Sequence, residues 1–478
     1  MAVHAFHVQS ITWGRARITL YGETRELEPA PETVPPTYMV AWHETFAPAE
    51  ARLPARSVRE DANFAFVLFA PTLFLGELGS GGALLFVVAT FAAALVRRRQ
   101  LGELLRRRWY VVLVPAWALL STLWSTAPLE TVKHSCEFAI TVLAALLLAA
   151  PRNPRALLHG LFWAFVLYTA VSVAVGNTVP VGENGAQAFS GLTESKNEEA
   201  NIAACGLIAS VFVALDASRR RRVLLCAIAI AAGVLQLLVC FAALSAGALA
   251  GLTVAFGAFL VVVALRRVGR FPRGAVLALC GAVALALAVL AETSAHVPLE
   301  WAARELGKDP TLTGRTYLWY RASELTAPDP LLGLGFGAFW QQGNLDAEGL
   351  WRYAGITGRA GFNFHNTLYD ALVSLGAIGV ALLCFAFAAG TANLAAGYAR
   401  RPALVPGFWL CMAAYTFVRM PTECVGLTEF YFSTVLLYAM LAWSRPPVRR
   451  LTPARRPALL AYACRIGRRV QSAPAAGV

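Results

Sequence analysis

Long apolar runs, separated by short segments rich in arginine, make up most of this chain after residue 62. A helix needs about 20 mostly apolar residues to cross a bilayer, so the pattern predicts about twelve spanning helices. The expected fold is an all-α, polytopic membrane protein. The predicted spans lie near residues 63–78, 80–96, 109–125, 132–150, 156–176, 200–217, 223–244, 247–265, 274–291, 367–389, 403–420 and 428–443.

The arginines indicate how these helices are oriented. Alternate loops, together with the chain after residue 444, contain 26 arginines and no lysine. Loops rich in Lys and Arg stay on the cytoplasmic side of a membrane. The pattern predicts that both termini are cytoplasmic and that the remaining loops lie on the outer side. The arginine-rich loops are 97–108, 151–155, 219–222, 266–273 and 398–402.

The two ends of the chain differ from this transmembrane domain at 63–443. Residues 1–62 have mixed polarity and four prolines between positions 29 and 36. This composition predicts a polar cytoplasmic extension that is partly disordered. The segment lacks the apolar stretch that a cleavable signal peptide contains. Residues 444–478 predict a basic cytoplasmic tail.

Composition excludes a soluble enzyme. Hydrophobic residues make up 58% of the chain and charged residues 14%, whereas soluble chains carry about 25% charged residues. The net charge of +13 is spread over alternate loops, which favours membrane orientation over nucleic-acid binding. Most of the nine cysteines lie in apolar runs, and no spacing indicates a disulfide framework or a metal site.

Two outer loops are long, at 176–199 and 292–364, and long loops of compact proteins are usually functional. The second is expected to carry short amphipathic helices at 299–306 and 315–325. In the latter, Leu318, Ala322 and Leu325 form an apolar stripe, and Trp319 and Tyr317 suit the membrane surface.

Arg315 follows Gly314 at the predicted start of a helix in this loop. Free backbone N–H groups at a helix start favour anions, and a guanidinium binds phosphate or diphosphate with two hydrogen bonds. Arg315 is therefore a candidate for binding a diphosphate. The alternative is an arginine that extends to the lipid headgroups.

His365 and Asn366 stand at the start of a spanning helix, close to Tyr369 and Asp370. A neutral imidazole there can accept a proton from an attacking hydroxyl. A structural histidine at the surface or in the core is the alternative. His134 lies on the same side without comparable polar neighbours, and no second His or Cys stands at metal-ligand spacing.

Lys196, Asn197 and Arg419 complete the set of candidates on the outer side. Lys196 can contact phosphate, and Asn197 can cap the helix that begins there. Because glutamates at 194, 198 and 199 partly cancel the charge, a solvated loop is the alternative. Arg419 ends the eleventh predicted span and is a further phosphate candidate.

The glycine-rich turn at 333–337 does not follow a predicted strand and lacks the GK[ST] ending of a nucleotide loop. We interpret it as a structural turn. The outer side also lacks nucleotides, so a reaction there needs a substrate that is already activated, such as a lipid-linked diphosphate. The protein would supply positioning, stabilisation of the departing charge and a base.

Several segments resemble the O-antigen ligase and Wzy-type polysaccharide polymerase superfamily. They are LTGRTYLW, DPLLGLGFGAFW and FHNTLYDALVSLG, with WSTAPLET and GLTESKNEEANIA upstream. The wording GFNFHN looks most like the ExoQ-like exopolysaccharide polymerase branch. The resemblance covers about residues 63–443, and its specific part is 190–376.

This resemblance implies an inverting glycosyltransferase of GT-C-like fold in the bacterial inner membrane. It implies that donor and acceptor are undecaprenyl-diphosphate-linked oligosaccharides, used at the periplasmic face without a metal or other cofactor. Arg315 matches the diphosphate arginine of the family, and His365 matches the histidine that assists the acceptor. Lys196 and Asn197 match its KN pair, although SKNEEA departs from the usual surroundings of that pair. We add Asn366 and Arg419 as candidates for binding the substrate.

The sequence thus predicts a polymerase that joins lipid-linked repeat units into a polysaccharide. The alternatives are a ligase that transfers finished glycan to lipid A core or another acceptor, and a transporter of the same lipid-linked sugars. Internal repeats, which are common in transporters, are not visible. The expected partners are the bilayer, the lipid-linked substrate and possible chain-length or export proteins, with no nucleic acid.

Overall fold

The computed structural model describes residues 17–20, 23–26, 55–150, 153–181, 185–293, 314–356 and 361–443. The chain divides into two units, Met1–Leu53 and Pro54–Val478. In the first, β1 (Arg17–Leu20) and β2 (Glu23–Glu26) form an antiparallel hairpin. The predicted helix at 299–306, the tail at 444–478 and most of the polar extension lie outside the described residues.

The described part of the second unit is mainly helical. Its first helices are α1 (Ala55–Leu73), α2 (Leu75–Arg107), α3 (Leu113–Leu120), α4 (Pro128–Ala149), α5 (Pro154–Val175), α6 (Lys196–Arg219) and α7 (Val223–Ala242). The later ones are α8 (Ala246–Leu265), α9 (Arg270–Thr293), α10 (Arg315–Thr326), α11 (Leu345–Tyr353), α12 (Thr367–Arg400), α13 (Leu404–Arg419) and α14 (Phe432–Ala442). Short 3₁₀ turns at Trp109–Val112 and Ser121–Leu123 flank α3.

Among the described residues, eight helices are long and apolar enough to cross a membrane. They are α2, α4, α5, α6, α7, α8, α9 and α12. Each of the twelve predicted spans coincides with an observed helix or helical segment, but the count of twelve is not confirmed. Trp109–Leu123, α13 and α14 are shorter apolar segments, and the eleven residues of α14 rise only about 16 Å.

Burial divides the helices into a core and a periphery. In the most apolar 18 residues of α6, 78% of the residues are buried, whereas the corresponding share in α9 is 6%. Helices α7, α8 and α9 expose large apolar side chains such as Phe241, Phe256 and Leu285. Such an apolar outer face is typical of a surface in contact with lipid acyl chains.

The expectation of an all-α protein is incomplete, because the loop at 176–199 contains a β-hairpin. Its strands β3 (Asn177–Val181) and β4 (Ala186–Gly191) pair antiparallel. Strand β4 packs onto α5 at Gly191, where any side chain would overlap the Ser172 hydroxyl. The hairpin is therefore attached to the helical core directly before α6.

The described part of the long outer loop has a small hydrophobic core of its own. Leu318, Trp319 and Ala322 of α10 pack with Leu350 and Trp351 of α11. The predicted apolar stripe of α10 is thus confirmed, but the expectation that Trp319 lies at the membrane surface is wrong. Its side chain is buried because α11 and the chain before α12 cover it.

Helix α12 is interrupted at Gly376, which has φ 67° and ψ −175°. A break inside a membrane leaves backbone groups without partners, and neighbouring chain must satisfy them. Here the N–H of Ala377 donates to the carbonyl of Pro330 at 2.8 Å. The N–H of Leu334 donates to the carbonyl of Val373, also at 2.8 Å.

The glycine-rich turn is therefore structural, as the sequence indicates. Gly333, Gly335 and Gly337 all have positive φ, a region that glycine adopts without steric cost. A side chain at Gly333 would press on the backbone of Gly376, and one at Gly335 would overlap Ser125. The turn fills the break in α12 and connects it to the segment between α3 and α4.

We expect Gly376→Ala to destabilise the protein by about 3 kcal/mol, because the φ and ψ of Gly376 are accessible essentially to glycine only and the methyl group would overlap the carbonyl of Leu331. Thermal unfolding of the purified protein in detergent measures this effect. The matched control is Gly397→Ala in the same helix, where a new Cβ meets no atom within 4 Å. That variant should be as stable as the wild type or slightly more stable, and equal stability of both variants would contradict the prediction.

Candidate active site

A carboxylate that sequence reasoning missed, Glu423, connects the two main candidates. Arg315 Nη2 lies 3.0 Å from Oε1 of Glu423. His365 Nδ1 lies 3.4 Å from Oε2 of the same carboxylate. Arg419 Nη2 approaches Oε1 at 3.5 Å. Arg315 and His365, fifty residues apart in the chain, thus meet on opposite oxygens of one side chain.

The loop between α13 and α14 holds Glu423 in a fixed position. The hydroxyl of Thr367 donates to the carbonyl of Glu423 at 2.8 Å and accepts from the N–H of Val425 at 2.9 Å. The N–H of Thr367 donates to the carbonyl of Met420 at 2.9 Å. The amide of Asn366 donates to the carbonyl of Pro421 at 3.2 Å. The first turn of α12 therefore fixes the backbone on both sides of Glu423.

His365 has an unusual backbone for a residue other than glycine, with φ 50°. The side-chain oxygen of Asn363 accepts from the N–H of His365 at 2.8 Å and supports this conformation. The ring of Phe362 packs edge-on against the imidazole. Residues in the left-handed region cost free energy and often occur where a functional side chain must point in one direction.

Arg315 is the first residue of α10, after Gly314 with φ 79°. Its guanidinium also donates to the carbonyl of Thr422. The indole N–H of Trp319, one turn further on, donates to the carbonyl of Phe364 at 2.9 Å. This bond holds α10 against the segment that carries His365.

The charges of this cluster do not balance. Burial by itself would raise the pKa of Glu423, but Arg419, the hydrogen bond with His365 and Arg315 together hold that pKa well below its usual range. Glu423 is therefore ionised at neutral pH, and its single negative charge faces two guanidinium groups. The Arg315 side chain is 16% exposed and that of His365 is 29% exposed, so this arrangement of charges favours the approach of an anion.

Four helix N-termini lie around the cluster. Helices α10 and α12 begin beside the residues that contact Glu423. Lys196, the first residue of α6, donates to the carbonyl of Leu244 at 3.1 Å, just before α8 begins. A Cβ at Gly247 in α8 would stand 2.7 Å from a guanidinium nitrogen of Arg419. Helix N-termini carry partial positive charge, so their convergence further favours a negatively charged ligand.

The structure gives Asn366 and Asn197 positions that differ from the sequence expectation. Asn366 is completely buried; its oxygen caps α12 by accepting from the N–H groups of Leu368 and Tyr369. The expected substrate contact of Asn366 is therefore replaced by a structural one. The expectation that Asn197 caps α6 is wrong, because the N-cap residue is Ser195 and Asn197 lies inside the first turn.

The glutamates beside Lys196 are not all part of a solvated loop. Glu199 is buried and accepts from the hydroxyls of Tyr168 at 2.8 Å and Ser172 at 2.7 Å. Glu198 is hydrogen-bonded to Tyr431. Both side chains anchor the start of α6 to its neighbours, so the interpretation of this segment as solvated chain is wrong for these two residues.

His134 lies close to three carboxylates, more polar neighbours than the sequence analysis expects. Its Nδ1 lies 3.1 Å from the carboxylate of Glu429 and 3.7 Å from that of Glu137, and its Nε2 lies 3.7 Å from the carboxylate of Glu130. Glu429 comes from a distant part of the chain, which is why the sequence does not predict the contact. Among the described residues, no group of three or more His, Cys, Asp or Glu side chains has the arrangement of a metal site.

A weak sequence signal for Glu423 exists in hindsight. It stands four residues after Arg419, in a short polar break between two apolar runs, and residues four apart face each other on a helix. The signal does not identify Arg315 or His365 as its partners, because they lie 108 and 58 residues away.

Two comparisons with known proteins give similarities for this chain. A family model described as O-antigen ligase matches residues 231–384, the part of the chain that contains Arg315 and His365. The exopolysaccharide production protein ExoQ of Rhizobium meliloti (strain 1021) is 29% identical over 412 residues, which cover 83% of this chain and 92% of that protein.

Fold and site together define a multi-spanning membrane protein with an arginine–histidine site at the end of its helices opposite the arginine-rich loops. The chain is similar to the O-antigen ligase family over residues 231–384 and to the exopolysaccharide production protein ExoQ over most of its length. This similarity favours activity of the glycosyltransferase type. Of the sequence candidates, the structure brings Arg315, His365 and Arg419 together and places Lys196 beside the neighbouring helix start.

Proposed function

We propose that this protein polymerises undecaprenyl-diphosphate-linked repeat units into an exopolysaccharide or other surface polysaccharide. The observation that carries the proposal is the meeting of Arg315 and His365 on the carboxylate of Glu423. An arginine suited to a diphosphate and an imidazole suited to a hydroxyl lie within reach of one substrate. The similar Rhizobium protein is described as an exopolysaccharide production protein, which supports this product class.

The proposed reaction is an inverting transfer. A hydroxyl of the acceptor sugar attacks the anomeric carbon of the donor from the side opposite the diphosphate. The bond between that carbon and the diphosphate oxygen breaks, and its electron pair leaves with the diphosphate. His365 accepts the proton of the attacking hydroxyl through Nε2. No cofactor enters these steps, since the lipid diphosphate is a good leaving group.

Arg315 stabilises the negative charge that develops on the departing diphosphate, as oriented donors do in a dry site. Arg419 is 3% exposed, so we assign it a contribution through charge rather than a direct contact. Lys196 lies near the edge of the same region and suits a second phosphate or a polar group of the sugar. Asn197, also in the first turn of α6, remains a candidate for the same sugar.

The proposal includes a location. Positively charged loops mark the cytoplasmic side, and the site lies at the opposite ends of the helices, so we place it at the periplasmic face of the inner membrane with both termini in the cytoplasm. We also retain twelve spans and a GT-C-like arrangement, in which α1 and the three shorter apolar segments cross together with their longer neighbours. A partner that regulates chain length or exports the product fits this location.

Transfer of finished glycan to lipid A core or another acceptor is the second candidate, because the matching family model carries the description O-antigen ligase. The site chemistry is the same, and only the acceptor differs. A transporter fits less well. Its substrate groups are expected near the midplane of the bilayer, whereas Arg315, His365 and Lys196 all stand at helix starts on one side.

A deletion strain separates these functions. Loss of a polymerase leaves single repeat units on the lipid carrier, so we expect long polymer to fall below detection and single repeats to accumulate. Gel electrophoresis of the polysaccharide and mass spectrometry of the extracted lipid-linked sugars measure both. A plasmid that carries the wild-type gene is the control and should restore long chains. Unattached long polymer would instead indicate the ligase, and normal polymer with normal attachment would exclude both.

A further inference from the structure

We propose that Glu423 is a positioning residue that keeps the proton of His365 on Nδ1 and leaves Nε2 free to accept the proton of the acceptor hydroxyl. The inference rests on the proposed function of His365 as the base. It adds a residue outside the matched region at 231–384 and gives it a specific task. The same side chain holds Arg315, so it also sets the spacing between base and diphosphate arginine.

The direction of the hydrogen bond follows from the chemistry of the two groups. An ionised carboxylate only accepts hydrogen bonds, and a neutral imidazole carries one proton on one of its two nitrogens. Oε2 of Glu423 lies 3.4 Å from Nδ1 of His365. The contact is favourable only when Nδ1 carries the proton, so Nε2 keeps its lone pair.

The carboxylate has no freedom to exchange this role for another. Its second oxygen, Oε1, accepts from Arg315 at 3.0 Å and faces Arg419 at 3.5 Å. The two guanidinium groups keep Glu423 ionised, and Thr367 holds its backbone. The side chain therefore presents an acceptor to His365 whether or not a substrate is bound.

A substitution that preserves shape but changes the pattern of donors tests this role. In Glu423→Gln, the guanidinium of Arg315 still needs an acceptor, so the amide oxygen stays on Arg315. The amide nitrogen then faces Nδ1 of His365 and donates to it. The imidazole proton moves to Nε2, where it blocks acceptance of the hydroxyl proton.

The kinetic consequence is large and specific. In serine proteases, where a buried carboxylate orients a histidine in the same manner, changing the carboxylate to an amide lowers kcat about 10⁴-fold. We expect Glu423→Gln to lower kcat by at least about 100-fold with a smaller change in KM. Glu423→Asp keeps the acceptor and should recover part of the rate. A residue that only stabilises the fold would show no such difference between Asp and Gln at equal folded yield.

The tautomer of His365 is measurable without any assay of activity. Nitrogen-15 solid-state NMR of protein with labelled histidine, in lipid bilayers at pH 8, distinguishes protonation of Nδ1 from that of Nε2. The signal of His365 is the one missing from a His365→Asn variant. We expect an Nδ1 proton in the wild type and in Glu423→Asp, and an Nε2 proton in Glu423→Gln. An Nε2 proton or a doubly protonated ring in the wild type would overturn the proposal even if Glu423→Gln fails to fold.

The two proposals fail in different ways. If the tautomer changes as expected but His365→Asn still makes polymer, His365 is positioned by Glu423 and is not the base of the proposed reaction. If His365→Asn is inactive but Glu423→Gln keeps the wild-type tautomer, the proposed function survives and the role of Glu423 is wrong. Size-exclusion chromatography of each variant confirms that the comparison is made on folded protein.

Discussion

Arg315→Ala is expected to abolish long polymer, with a loss of about 10³-fold in the rate of transfer. The guanidinium of Arg315 is more exposed than that of Arg419, with side chains 16% and 3% exposed, so it is the arginine of the cluster that an anion can reach. Its removal leaves Glu423 with Arg419 and His365, so the protein should still reach the membrane. Polymer length on gels and protein level in membranes, measured together, check both parts of this prediction.

Conservative and matched variants sharpen this test. Arg315→Lys keeps the charge but cannot hold the carbonyl of Thr422 and an anion with one planar group, so we expect partial activity. The control is Arg321→Ala, six residues along the same helix, whose side chain pairs with Glu324 and Asp346 away from the cluster. It should keep activity within about two-fold, because exposed ion pairs contribute little. Normal polymer in Arg315→Ala would remove this residue from the mechanism.

His365→Asn is expected to lower the rate of transfer by about 10²-fold to 10⁴-fold, the usual contribution of a general base. Asparagine tolerates a positive φ better than most residues, so the strained backbone at φ 50° should persist and the effect should come from the lost imidazole. The transfer rate with purified protein and a lipid-linked oligosaccharide measures this directly. KM should change less than kcat, because the base acts mainly in the transition state.

His134 offers the matched comparison for this prediction. His134 is 25% exposed and contacts Glu429 at 3.1 Å, which resembles the pair formed by His365 and Glu423. His134 has no arginine suited to a diphosphate beside it among its described contacts. We expect His134→Gln to keep activity within a few-fold of the wild type. Loss of transfer in His134→Gln with normal transfer in His365→Asn would reassign the base.

Apolar runs and arginine-rich loops predict the helices well, because hydrophobic length reflects the local environment of a segment in a membrane. Each predicted span coincides with an observed helix or helical segment. Boundaries were less accurate: α2 continues to Arg107 and α12 to Arg400, well past the ends of the predicted spans. Helices continue beyond the bilayer when their polar ends are solvated or paired, and hydropathy does not report this.

Other features depended on contacts between distant segments and were missed. The hairpin of β3 and β4 lies in a loop of mixed polarity, where short strands give a weak signal. Trp319 is buried because α11 covers it. Asn366 caps α12, although the sequence also allows a contact with substrate. For Trp319 and Asn366, several partners are compatible with the sequence, and only the packed fold selects among them.

The stretch at 309–376 shows what the sequence determines and what the tertiary structure determines. The sequence by itself determined that Arg315 and His365 stand at helix starts on the side opposite the arginine-rich loops, since hydrophobic length and loop charge fix which residues reach which face of a membrane. Only the tertiary structure decided that the two residues meet, and that they meet on Glu423. That contact joins three segments separated by 50 to 108 residues. Packing of whole helices sets such distances, and no local pattern in the chain encodes them.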